Sequence, residues 1–135
     1  MKHFSIHELT TSATAARLGI NNTPDKTVTA NLTALVDHIL DPLREAWGKP
    51  IIVTSGYRCH KLNKAVGGAA SSQHMLGQAA DIHTVSDEPK ENKQLYDLIR
   101  KLNLPVDQCI NEYGYNWIHV SYSPRNRRQY IAIGK

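Results

Sequence analysis

The sequence has little cysteine: Cys59 and Cys109 are its two such residues. Two cysteines cannot build a disulfide framework, and their pattern does not suit a cysteine-based metal site, so both are read as free thiols. Long apolar runs are also missing. Nothing approaches the ~20 consecutive apolar residues of a membrane span. The opening Met1-Lys2-His3-Phe4-Ser5 lacks the apolar segment of a secretory signal. The expectation is a chain made in the cytosol, with no export signal of its own and no stable membrane insertion. Excess charge of one sign is small, at 16 Lys and Arg against 12 Asp and Glu, or +4. The basic residues are scattered apart from Arg125, Arg127 and Arg128. That gives nucleic-acid binding weak support and fits an anionic polymer partner equally well. Low-complexity segments and internal repeats are absent. Hydrophobic residues are not scarce: at 41% the chain can bury a core, which excludes intrinsic disorder.

A length of 135 residues corresponds to one domain, 1–135. Residues 1–28 mix polar and small side chains and read as an arm wrapping that domain, with one short helix from Glu8 to Leu18. Leu32, Leu35, Val36, Ile39, Leu40 and Leu43 recur at helical spacing and predict a long amphipathic helix. Pro42 inside it predicts a kink, because proline has no backbone donor. Ile51-Ile52-Val53-Thr54 predicts a buried strand, and residues 60–66 a short helix closed by Gly67-Gly68. Residues 79–85 predict a strand with Asp81 and His83 on one face. Leu95, Leu98, Ile99 and Leu102 form the core stripe of a helix that opens at Asp87-Glu88-Pro89. Residues 106–112 and 117–122 predict a hairpin around Tyr113-Gly114-Tyr115-Asn116. Tyr130-Ile131-Ala132-Ile133 reads as an apolar tail. Together these elements predict an α+β fold, a small, mainly antiparallel sheet with flanking helices. No association surface stands out, so a monomer is expected.

The chemistry concentrates in Ser71-Ser72-Gln73-His74-Met75-Leu76-Gly77-Gln78-Ala79-Ala80-Asp81-Ile82-His83. Imidazole and carboxylate both bind Zn²⁺, and small neighbours let the backbone close round an ion. His119, in Trp117-Ile118-His119-Val120-Ser121, is the best candidate for a third ligand, with His83 competing. Three protein ligands leave one position open, as catalytic zinc sites do. With seven histidines in the chain, residue type and spacing leave a second reading open. In it His74 is a loop residue, Asp81 caps a turn and His119 is a satisfied core histidine. His3, His7, His38 and His60 show no partner pattern and read as ordinary surface.

Ser72-Gln73-His74-Met75-Leu76-Gly77-Gln78-Ala79-Ala80-Asp81 resembles the Ser-x-His-x-x-Gly-x-Ala-x-Asp motif of the M15 peptidases, the zinc D-Ala-D-Ala peptidase family. Ser55-Gly56-Tyr57-Arg58 and Leu62-Asn63 resemble its upstream segment, and Trp117-Ile118-His119-Val120-Ser121 its second histidine motif. The segment Leu40-Asp41-Pro42-Leu43-Arg44 resembles the phage-type branch. The resemblance implies a Hedgehog/DD-peptidase-like fold, which also occurs in signalling domains that hold zinc without demonstrated hydrolysis. It implies Zn²⁺ on His74, Asp81 and His119. Arg58 is implied as a catalytic and substrate-binding group, suited by its guanidinium fork to a carboxylate or oxyanion.

One departure matters. Many family members carry a glutamate base three residues before the second histidine, and here that position is Asn116. The nearest acid is Glu112 across the hairpin, which becomes the expected base, with Asp107 second and better suited to a structural bond. His83 falls to a site-lining role as substrate contact, alongside Ser72 and Gln73. Trp117 and Tyr122 are expected to pack beside the site. The implied activity is zinc-dependent hydrolysis of a peptide bond in bacterial peptidoglycan, as a carboxypeptidase or as an endopeptidase of the endolysin type from a phage or prophage. The enzyme would act after release or export by other means. The alternatives are a zinc-stabilised, non-catalytic cell-wall binding module and nucleic-acid binding through the arginine cluster.

Overall fold

A computed structural model describes residues 1–134. Two short helices come first, α1 (Ile6–Thr10) and α2 (Ala13–Leu18). The sequence predicted one helix here. It breaks because each half has its own serine cap: Ser5 accepts from the Glu8 N–H and Ser12 from the Ala15 N–H. The arm is tied to the segment after the first strand. The Tyr57 N–H donates to the Leu9 carbonyl, and the Asn22 side chain bonds Thr10, Tyr57 and Cys59 backbone groups.

The long apolar stripe is a composite helix: α3 (Lys26–Leu35), a π-helical turn (Val36–Leu40) and α4 (Asp41–Trp47). Pro42 cannot supply an interior N–H. The chain absorbs that defect in the π turn just before it, where the Asp41 N–H reaches back to the Val36 carbonyl. The stripe stays intact, with Leu32, Leu35, Val36, Ile39, Leu40 and Leu43 completely buried. Each such side chain contributes roughly 2 kcal/mol through area removed from water.

Four strands follow the predicted segments, β1 (Ile51–Ser55), β2 (Ala79–Thr84), β3 (Gln108–Glu112) and β4 (Trp117–Ser121), and a fifth, β5 (Gln129–Ile133), comes after them. Their order in the sheet is β1-β2-β4-β3-β5. Three pairings are antiparallel, and β5 runs parallel to β3. The expected apolar tail is therefore a strand, and the sheet is mixed. The reason is local: β4 ends beside the start of β3, so residues 122–128 need only step round that end to lay β5 along β3's free side. Helices α5 (His60–Ala65) and α6 (Pro89–Lys101) complete the element list. Leu95 and Ile99 of α6 are completely buried, whereas Leu102 caps the helix and is exposed.

Strand alternation separates the sheet's two faces. Ala80, Ile82, Cys109, Ile118 and Val120 join the helical stripes in one core cluster. Asp81, His119 and Glu112 occupy the opposite face. The β3–β4 hairpin is held to α6 by buried Asn92, whose amide donates to the Tyr115 carbonyl at 2.9 Å. Among the described residues no helix is long and apolar enough to cross a membrane. Both cysteines are free.

Candidate metal centre and cavity

Register builds the site. Asp81 on β2 lies opposite His119 on β4, and His119 lies opposite Ile110 on β3. His74 arrives from outside the sheet, on a 3-10 turn (Gln73–Leu76) closed by Gly77 at φ +71°. Gly77 is held close to Val28, leaving no space for a Cβ. Ser72 opens that turn by accepting from the His74 N–H at 3.1 Å. The result is a His74, Asp81, His119 cluster whose ligand atoms all lie within 4.8 Å of one another. Among the described residues it is the only such group of metal-binding type.

The donor set fits zinc. His74 Nδ1 lies 2.6 Å from the Gly56 carbonyl oxygen, which only accepts. Nδ1 therefore carries a proton and donates, and Nε2 faces Asp81 Oδ1, 3.3 Å away, an approach that a proton or a cation between the two atoms would satisfy. His119 Nδ1 is 3.0 Å from the same carboxylate oxygen. Burial pushes the Asp81 carboxyl upward, but hydrogen bonds and charge from His119 and His74 outweigh it and hold the group well below the usual carboxylate range. Asp81 is thus ionised, as a ligand must be. The bond from a ligand histidine to a backbone carbonyl fixes its ring, a common feature of zinc sites. Gly56 can present that carbonyl because it lacks a side chain: a Cβ would run into the Leu9 carbonyl.

The cluster opens into a cavity of about 780 Å³ that Arg58, Glu112, Trp117 and Arg125 also line. Glu112 pairs with Trp117 in the register, so it is the diagonal neighbour of His119 on the same face, within reach of long side chains. Burial raises its pKa; His119 opposes that shift and Asp81 adds to it. Arg58 is bound to the His74 turn through its backbone, its N–H donating to the His74 carbonyl at 3.0 Å. Its Nε is buried without a partner, and its terminal amine is 3.5 Å from Ser72 Oγ.

Other expected residues are placed differently. His83 shares the Asp81 face but lies beyond the cavity, its Nδ1 turned to the Thr84 carbonyl and to Asp87 at 3.4 Å. The shared face was right; two residues along a twisted strand carry the ring out of the site. Gln73 lines the cavity, yet its amide nitrogen donates to Asp107 at 2.9 Å and Gln78 at 3.3 Å, so it braces the turn. Asp107 is completely buried and accepts from Arg127, Ser123 and Gln73. Those bonds, led by the Arg127 guanidinium, hold its carboxyl well below the usual range, which leaves it no use as a base. Tyr122 stacks on His38 at 4.5 Å, outside the cavity lining. The arginine cluster disperses: Arg127 pairs with Asp107 and Arg128 bonds Asn103. The Gly56 carbonyl and Arg125 were missed as site features. A backbone acceptor leaves no side-chain signal, and Arg125 was visible only as one of three basic residues.

A mixed α+β sheet with a His-Asp-His cluster at the mouth of a cavity defines a metallopeptidase-like site. The chain belongs to the M15 peptidase family, whose profile matches residues 2–121. It is also similar to the zinc D-Ala-D-Ala carboxypeptidase of Streptomyces albus G, at 48% identity over 56 residues. That match covers 40% of this chain and 22% of the Streptomyces protein, so the relative extends well beyond the shared part.

Proposed function

We propose that this chain is a single-domain zinc peptidase that hydrolyses a peptide bond in bacterial peptidoglycan stem peptides. The reading rests on one observation: in an M15 family chain, the His74, Asp81 and His119 cluster shares a cavity with Glu112 and Arg58. His74, Asp81 and His119 would hold the ion. When bound, zinc supplies Lewis acidity, polarising the scissile carbonyl and acidifying the attacking water. Glu112 takes the proton of that water on a carboxylate oxygen and later delivers it to the leaving amine nitrogen. A pKa raised by burial suits both halves of that exchange. Arg58 donates to the negative charge that develops on the carbonyl oxygen, or to a terminal carboxylate of the substrate. Ser72 and Gln73 keep the His74 turn in place. In this reading the chain works as a monomer on the cell wall.

The deciding experiment is mass spectrometry of muropeptides after incubation with purified peptidoglycan. A mass loss of one terminal alanine identifies a carboxypeptidase; separation of cross-linked or stem fragments identifies an endopeptidase. Intact muropeptides in the presence of zinc-loaded protein would overturn the enzyme and leave a cell-wall binding module of the same fold. Metal analysis tests the ligands separately. His74→Ala is expected to lower zinc content to less than about one tenth of the parent's, and an unchanged content removes His74 from the site.

A further inference from the structure

The cavity holds a cation to which the reading above gives no task. Arg58 serves the reacting group, and Arg127 is neutralised by buried Asp107 through its Nε and Nη2 at 2.8 and 2.9 Å. Arg125 lines the same cavity. It is exposed, and among the described residues its guanidinium has neither an ion pair nor a hydrogen bond. Its backbone is well fixed. The Arg125 N–H donates to Ser123 Oγ at 3.3 Å, and Ser123 in turn donates to Asp107 at 2.9 Å. The neighbouring Arg127 N–H also donates to Asp107, at 2.9 Å, and the Asn126 N–H to the Ser123 carbonyl. Asp107 reaches the other wall through Gln73, next to the ligand His74. One buried carboxylate thus fixes the turn that carries Arg125 relative to the metal-binding turn. The side chain alone is left free, over the cavity, to meet something that the protein does not supply.

We infer that Arg125 is a specificity contact, binding a carboxylate of the peptide substrate set away from the bond that is cut. The inference rests on the peptidase reading. A planar guanidinium takes both oxygens of a carboxylate at once, which fixes direction as well as charge. On a turn braced against the metal-binding loop, such a contact sets the distance between the substrate's acidic group and its scissile carbonyl.

The test uses the zinc-loaded full chain with Glu112→Gln to prevent turnover. The probes are two acidic pentapeptides ending in D-Ala-D-Ala, identical except that one interior carboxylate is free or amidated. Calorimetry is expected to show the free acid binding about tenfold more tightly than the amide. Arg125→Gln brings that ratio near one, and Arg125→Lys restores part of it. Arg128→Gln removes the same charge from the same turn outside the cavity and keeps the ratio. The Arg125 side chain makes no contact that the fold needs, so thermal melting should match the parent. No preference in the parent, or one that survives Arg125→Gln, overturns the assignment. Hydrolysis of the same peptides and of purified peptidoglycan by the chain with Glu112 intact separates the two claims. Carboxylate-dependent binding with neither the peptides nor peptidoglycan cleaved ends the peptidase reading and keeps Arg125. Cleavage with no acid preference does the reverse, and failure to bind the peptides or to cleave either substrate overturns both.

Discussion

The two ends of β3 each carry an acid, and the two are opposite in every physical respect. Asp107, just before the strand, accepts five hydrogen bonds: three from Arg127, one from Ser123 and one from Gln73. Glu112, at the other end, has no side-chain hydrogen bond among the described residues and faces the metal cluster's cavity. One carboxyl is held below its ordinary pKa by its donors, and the other is raised by burial. An acid whose lone pairs are all engaged is a structural anchor. An acid with free lone pairs and a raised pKa is able to take and return a proton. The sequence ranks Glu112 ahead of Asp107 as the expected base, and hydrogen bonding is what sets the two acids apart physically.

The contrast breaks most readily at Glu112. Glu112→Gln is expected to lower kcat about a thousandfold while zinc content and melting temperature stay at the parent's values. A variant that cleaves as fast as the parent ends its assignment as base. Asp107→Asn should show the converse pattern. Removing the buried partner of Arg127 is expected to cost about 2–3 kcal/mol in chemical denaturation, since Arg127 is itself partly in water. Normal stability with lost catalysis would exchange the roles of the two acids.

The pH dependence of stability is a finer probe. Asp107's folded pKa is depressed, so its contribution is fully present above the unfolded value near 4. It is lost as pH falls from there towards the folded value. The parent's melting temperature should therefore drop below about pH 4 more steeply than that of Asp107→Asn, and parallel curves would contradict the anchor role. The smallest expected effect is that of Ser123→Ala. It removes one of Asp107's five bonds together with the long Arg125 N–H bond to Ser123 Oγ, and should cost about 1 kcal/mol by thermal denaturation, with kcat unaltered.

Much of this was legible in the chain. The leucine stripe of residues 32–43 and four of the five strands follow from periodicity. Those are local properties, set by side-chain direction along one helix or strand. The motif resemblance named the family that the profile match then showed. What escaped was long-range. Parallel pairing of β5 with β3 depends on where β4 ends. His83 shares a face with Asp81, yet only strand twist and the pull of Asp87 take it out of the site.

By itself, then, the sequence determined the α+β class and the core stripes, because period is carried by neighbouring residues; His74, Asp81 and His119 came from it as candidate ligands, through the motif resemblance. Only the tertiary structure decided which acid is free and which arginine is unpaired. It also decided that Gly56, hidden in a turn, offers the carbonyl that orients His74. Each of those depends on a hydrogen-bond partner far away along the chain, and partner choice is settled by packing.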